Sequence, residues 1–181
     1  RAILENLLSA GKPLIFLGNG CRRSLLDPSR TGKGRAATTR LERFLALCER
    51  FAIPVATTPD AKGIFPESHP LSLRHYGKAS SPWPGAYMTT PRYDALLTLG
   101  ASLHDLDTEH WAPTLIPAGP FMQVDLDASV IGRGFPISLG VVADVAPMID
   151  LMARLGSQAK LTKAQHPAIE RRRTVVADID A

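Results

Sequence analysis

The chain is punctuated by short apolar runs that stop at glycine or at an acid. Leu14-Ile15-Phe16-Leu17 ends at Gly18-Asn19-Gly20, residues 93–100 end at Gly100, and Phe121-Met122-Gln123-Val124 runs into Asp125-Leu126-Asp127. Residues 53–58 and 137–142 are two more such runs. Apolar runs of this length without polar alternation suit strands covered on both faces, which is the signature of a parallel sheet. The segments between them keep helical spacing. Ile3, Leu4, Leu7 and Leu8 share a face in residues 1–9, and Leu41, Phe44, Leu45, Leu47 and Cys48 share one in residues 40–51. Thr38 or Thr39 is placed to cap the second of these, and Asp144 to cap a helix over 145–155 that Gly156 closes. A short helix is expected within 84–91. The order of elements predicts a doubly wound α/β fold.

Loops take up the rest. Residues 27–38 are rich in Gly, Ser, Arg and Lys. Residues 59–84 hold Pro59, Pro66, Pro70, Pro82 and Pro84, and 103–120 form a second Pro-containing connection. Irregular stretches of this length inside a domain are usually functional or contact another domain. From Ser157 onward the chain turns polar and loses periodicity. Residues 1–156 are therefore expected to form the domain, and 157–181 a linker with a short helical stretch near 168–177.

Composition excludes several classes. With 181 residues and 45% apolar content the chain can bury a sizeable core. No apolar run approaches the ~20 residues of a membrane helix. The net charge of +4 comes from two scattered groups: Arg22, Arg23, Arg30, Lys33, Arg35 and Arg40, and the triplet Arg171–Arg172–Arg173. Neither has interleaved aromatics, which argues against nucleic acid. Two distant cysteines, Cys21 and Cys48, fit a reducing cytoplasm and make no zinc site. They also argue against a zinc-bearing sirtuin-type deacylase, which needs two Cys-x-x-Cys pairs. The first residue is Arg1, so the chain is expected to be processed or a piece of a longer one.

In open parallel sheets, ligands sit beyond the carboxyl ends of the strands. Gly18-Asn19-Gly20 could let a phosphate approach backbone N–H groups, but Arg23 stands where a dinucleotide motif has its third glycine. A plain tight turn is the competing reading. Gly100-Ala101-Ser102 leaves room for a flat group, or is a simple turn. Asp125 could accept from a ribose, or an Asp there caps the turn at 128–131. His69, His75, His104, His110 and His166 lack metal-ligand spacing. There is no nucleophile elbow and no Walker loop. No residue is assigned a catalytic or metal-ligating role.

Taken together, KPLIFLGNG, LERFLALCERFAIPVATTPDAKGIFPESHPLSL, YDALLTLGASL and FMQVDLDASVIGR with LGVVADV resemble the middle domain of thiamine-diphosphate-dependent enzymes of the acetolactate synthase and 2-oxo-acid decarboxylase group. Pro54–Thr58 followed by Lys62–Pro70 is the most specific stretch. The resemblance implies a three-layer, six-stranded, Rossmann-like sheet of the deoxyhypusine-synthase type, with order 3-2-1-4-5-6 and a third strand near 71–76. It implies a parent lyase or transferase acting on 2-oxo acids, whose thiamine diphosphate and Mg²⁺ lie between two other domains and across a subunit contact in a homodimer or homotetramer. It also implies a domain that holds FAD, ADP or nothing. The matching nucleotide contacts are Gly18, Asn19, Gly20, Gly100, Ser102, Asp125 and Asp144. Two departures count against FAD. Ser102 stands where acetolactate synthases have an Arg, and Arg74-His75-Tyr76-Gly77-Lys78 replaces a Gly- and Met-rich loop. The family's Gly-Asp-Gly diphosphate motif is absent from this stretch. The alternative is a purely structural module with a vestigial cleft.

Overall fold

A computed structural model describes residues 1–34, 37–89, 92–163 and 165–180. Arg35 of the first basic group and the expected helix end at Pro91 lie outside the described residues. The chain runs α1 (Ala2–Ser9), β1 (Pro13–Leu17), α2 (Arg22–Leu25), α3 (Arg40–Phe51), β2 (Val55–Thr57), β3 (Ser72–His75), α4 (Pro82–Thr89), β4 (Ala95–Leu99), β5 (Phe121–Asp125), β6 (Leu139–Val142), α5 (Val145–Gln158) and α6 (Gln165–Asp180). The six strands form one sheet in the order β3-β2-β1-β4-β5-β6. Every neighbouring pair is parallel, with Leu14 opposite Leu96, Ile15 opposite Val55 and Leu97 opposite Met122.

All five residues of β1 and all five of β4 are buried, so their unbroken apolar character follows from cover on both faces. At the edge, β6 alternates between half-buried and exposed positions. The chain winds outward from β1 to β3 and then crosses back to β4. That reversal puts α3 and α4 on opposite faces if both crossovers are right-handed.

Helix ends are fixed by local chemistry. Thr39, rather than Thr38, caps α3 in a reciprocal capping box: its hydroxyl accepts from Glu42 N, and the Glu42 carboxylate accepts from Thr39 N at 2.7 Å. Asp144 caps α5 through Ala146 N. The apolar face of α3, with Phe44, Leu47, Cys48 and Phe51, is buried, each large side chain contributing about 1.5–3 kcal/mol. α3 packs beside α5 where Gly156 lets Leu47 in close; a β-carbon at Gly156 would lie 2.3 Å from Leu47 Cδ1. Above that contact Asp150 of α5 receives Arg43 at 2.8 Å and Arg40 at 3.1 Å. Arg43 also holds Thr31 and Thr38, which pair across the loop expected over 27–38.

The third strand falls where the resemblance placed it, and α5 runs three residues past the expected end at 155. The larger difference is at the end of the chain. The short helical stretch expected at 168–177 is a sixteen-residue helix, α6, that packs against α4 and buries Ile169, Arg172 and Val176. These positions fall on one helical stripe, but the stripe is narrow and its middle member is an arginine, so hydropathy alone reads it as polar. Among the described residues no helix is long and apolar enough to cross a membrane.

The Asp150 cluster sets a pH signature. Partial burial alone would raise the Asp150 carboxyl, but hydrogen bonds from Arg43 and Arg40 outweigh that and hold it below the ordinary value of 3.8. A depressed carboxylate contributes stability above its unfolded pKa and loses it as pH falls through the folded value. Asp150→Asn is therefore expected to cost about 1 kcal/mol at pH 7, with the deficit shrinking below about pH 4. Urea denaturation at pH 7 and pH 3 measures both.

Candidate functional site

The carboxyl ends of β1, β4, β5 and β6 form one rim, and the sequence-marked residues lie along it. The rim divides into a glycine turn, several of whose donors bond within it, and an acidic side that is open to solvent.

At the turn, Gly18 and Gly20 follow β1 and Gly100 follows β4. A β-carbon on Gly18 would stand 2.1 Å from the Gly100 carbonyl oxygen and 2.4 Å from Ala101 Cα. One on Gly20 would stand 3.0 Å from Gly100 Cα, and Gly100 itself has φ +57°. These glycines let two loops touch backbone to backbone. Their donors serve the same contact: Gly18 N donates to Leu99 O at 2.9 Å, Gly20 N to Gly100 O at 3.0 Å and Cys21 N to Gly18 O at 3.0 Å. A phosphate cradle needs such N–H groups turned outward. The N–H groups of Gly18, Gly20 and Cys21 are turned inward instead. The Asn19 side chain accepts from Arg22 Nε at 3.0 Å, and Arg22 Nη2 donates to the carbonyls of Asp60 and Lys62, tying the β1 rim to the loop after β2.

Cys21 lies under the turn, fully buried, and its thiol donates to Leu99 O at 3.1 Å. Burial, with Asp125 nearby, pushes the thiol up to about 12, so it stays protonated and is no nucleophile. Ser102 is half-buried, one residue before Leu103, whose φ is +52°. Asp125 Oδ1 accepts from Asp127 N at 3.0 Å, and Asp127 Oδ1 accepts from Ser129 N at 2.8 Å. Asp125 turns the chain, Asp127 caps the following helical turn, and Asp144 caps α5. All three are local carboxylate-to-backbone contacts.

Sequence reasoning missed two groups. Gln123, fully buried in β5, donates to Ala101 O at 3.2 Å and Val130 O at 3.3 Å while its oxygen accepts from Gly132 N at 2.9 Å. It holds the loops after β4 and β5 together. The one signal was a lone amide inside an apolar run. The second group is Asp107, buried beside His104, with Nε2 to Oδ2 at 3.5 Å. His104 Nδ1 accepts from Leu106 N, which in the neutral ring leaves the proton on Nε2, facing the carboxylate. Burial raises the Asp107 carboxyl, and His104 opposes the rise. The other histidines scatter: His69 pairs with Glu49, and His110 with Asp105. Among the described residues no group of three His, Cys, Asp or Glu is placed to hold a metal ion. Among the described residues five large apolar side chains are exposed: Leu26, Leu106, Trp111, Leu126 and Val142. Leu126 and Val142 stand at the carboxyl ends of β5 and β6, and the other three lie in connections that follow β1 and β4.

Comparison of the sequence with known proteins matches the chain to one family. Residues 31–152 match the family described as thiamine pyrophosphate enzyme, central domain. A Mycobacterium tuberculosis protein named for the acetolactate synthase large subunits is 35% identical over 140 residues, 77% of this chain and 23% of its own length. The sulfoacetaldehyde acetyltransferase of Rhodobacter capsulatus is 31% identical over 135 residues, 71% of this chain and 22% of its own. The 2-ketoarginine decarboxylase-named protein of Pseudomonas aeruginosa is 27% identical over 161 residues, 88% of this chain and 25% of its own. The chain thus spans about a quarter or less of these relatives' length. By its sequence match, and with the parallel 3-2-1-4-5-6 sheet that the resemblance implied, the chain belongs to the central-domain family of thiamine pyrophosphate enzymes.

Proposed function

We propose that this chain is the central domain of a cytoplasmic, thiamine-diphosphate- and Mg²⁺-dependent lyase or transferase acting on 2-oxo acids, and that it organises flanking catalytic domains in a homodimer or homotetramer. The observation that carries the organising role is the rim: Leu126 and Val142 are exposed where β5 and β6 end side by side, and Leu26, Leu106 and Trp111 are exposed in the connections that follow β1 and β4. Exposed large apolar side chains at such an edge mark a surface that another protein surface covers. The cofactor would supply the electron sink for decarboxylation. This domain's own residues would hold its neighbours in register, and the domain alone would be inactive.

Two versions differ in what else the rim does. In one it binds FAD or ADP through Gly18, Asn19, Gly20, Gly100, Ser102, Asp125 and Asp144. In the other the ancestral cleft is closed and the domain is structural. The committed donors of Gly18, Gly20 and Cys21 favour the closed cleft.

Three outcomes follow. In the full-length enzyme, Leu126→Asp with Val142→Asp is expected to lower thiamine-diphosphate-dependent turnover at least tenfold. In the isolated chain the same pair is expected to shift stability by less than about 0.5 kcal/mol each, measured by urea denaturation. Unchanged turnover would remove the organising role. Calorimetric titration of the chain with FAD and with ADP up to millimolar concentration is expected to give no saturable heat; saturable heat that Asp125→Asn abolishes would restore the nucleotide version. Gly18→Ala is expected to destabilise by about 3 kcal/mol or more, since the added carbon meets backbone. Gly85→Ala, in α4 with nothing within 4 Å, is expected to stabilise by about 0.5–1 kcal/mol. Thermal denaturation compares the two.

A further inference from the structure

Among the described residues the most deeply buried charged side chain lies at the amino-terminal edge of the sheet. Arg172 is 2% exposed and is one of the largest fully buried side chains. Its guanidinium meets backbone carbonyls. Nη1 donates to Phe51 O at 2.8 Å, and Nη2 donates to Leu8 O at 3.1 Å, to Leu7 O at 3.4 Å and to Ala10 O. Phe51 is the last residue of α3, and Leu7, Leu8 and Ala10 lie at the end of α1.

Helix carboxyl ends leave carbonyls without intrahelical partners and concentrate the negative end of the helix dipole. Here two such ends converge on one plane. A guanidinium matches that arrangement because its nitrogens lie in a rigid fork. A lysine ammonium is a point donor and cannot reach acceptors from two helices in the same way. Burial pulls the guanidinium's pKa down, with Tyr87 and Asp94 opposing. Nε is buried with no hydrogen-bond partner. The charge is thus met by the two helix ends, with the Asp94 carboxylate nearby.

Among the described residues of α6 the buried side chains are Ile169, Arg172 and Val176, with Val175 and Ile179 partly buried against the core and Arg173 donating to Glu49 O at 3.2 Å. The helix begins Gln165-His166-Pro167 and carries Thr174, Val175 and Val176 in its second half. A sixteen-residue helix of such composition is marginal in water, so its folding depends on docking.

We propose that the carboxyl ends of α1 and α3 form a guanidinium-binding site on the amino-terminal edge of the sheet, and that α6 is its tethered occupant, closing and opening as one unit on Arg172. In the open state the carbonyls of Leu7, Leu8, Ala10 and Phe51 face solvent, ready for a free guanidinium or for an arginine presented by another segment. In the closed state they are sealed.

Hydrogen exchange followed by mass spectrometry tests this on the whole chain. In the wild type, α6 amides are expected to exchange through an opening that leaves β1, β4 and β5 protected. Methylguanidinium at millimolar concentration is expected to compete with Arg172 and speed that exchange, and tetramethylammonium at equal ionic strength to leave it unchanged. Arg172→Ala is expected to speed α6 exchange by roughly tenfold to a hundredfold. In that variant methylguanidinium is expected to restore protection to the ends of α1 and α3. Arg172→Lys is expected to rescue poorly. The proposal falls if wild-type α6 exchanges only together with the sheet. It also falls if the two cations act alike. Should Arg172→Ala not fold, the wild-type competition alone decides.

Discussion

The contact between the ends of β1 and β4 governs the rest of the molecule. These strands are neighbours in space but far apart in sequence, and the chain reverses its winding between them. Side by side they form the fully apolar centre of the sheet, and just past their ends Gly18 and Gly100 meet with no side chain between. Cys21 is sealed beneath that junction, and Gln123 from β5 fastens the loop beyond Gly100 to its neighbour. The rim inherits its stiffness from this chain of contacts. What it presents outward is apolar side chains and carboxylate oxygens.

The fold was legible because its central strands are buried on both faces, so each one shows as an unbroken apolar run. The capping threonine and aspartate were legible for a similar reason: their partners lie only two or three residues away. Function at the rim was harder to read. The glycines after β1 signal close approach, but what approaches is Gly100, 82 positions downstream by sequence number. A local pattern cannot distinguish a neighbouring backbone from a ligand. Asp125 and Asp127 show the same limit, since an acid at a strand end serves equally to turn the chain or to receive a hydroxyl. α6 was legible only as a short stretch within a linker, because the residue that docks it is charged, and an arginine in an apolar stripe hides the helix's length and its buried face.

The two edges of the sheet solve different problems. At the amino-terminal edge Asp94 accepts from the backbone of Gly11 and Lys12, Tyr87 donates to Pro13 O, and Arg172 closes two helix ends, so polar backbone is satisfied from within. At the carboxyl edge the loops are longer and their strain is concentrated. Glu109, His110 and Trp111 are three successive residues with positive φ, a conformation costing roughly 1–2 kcal/mol each for such side chains. Trp111 packs its ring over Gly134, where a β-carbon would come within 2.8 Å. Strain of this kind persists only where surrounding structure holds it.

The burial of both thiols has a practical side. Cys21 sits beneath the junction of two strand ends, and Cys48 sits in the packed face of α3, both wholly enclosed. Burial raises both thiols, so neither offers a thiolate to reagents or oxidants while the structure is closed. Each becomes a clock for a different event: labelling at position 21 times the parting of the central strands, and labelling at position 48 times the lifting of a helix. Two native atoms of sulfur thus report the domain's breathing without any introduced probe.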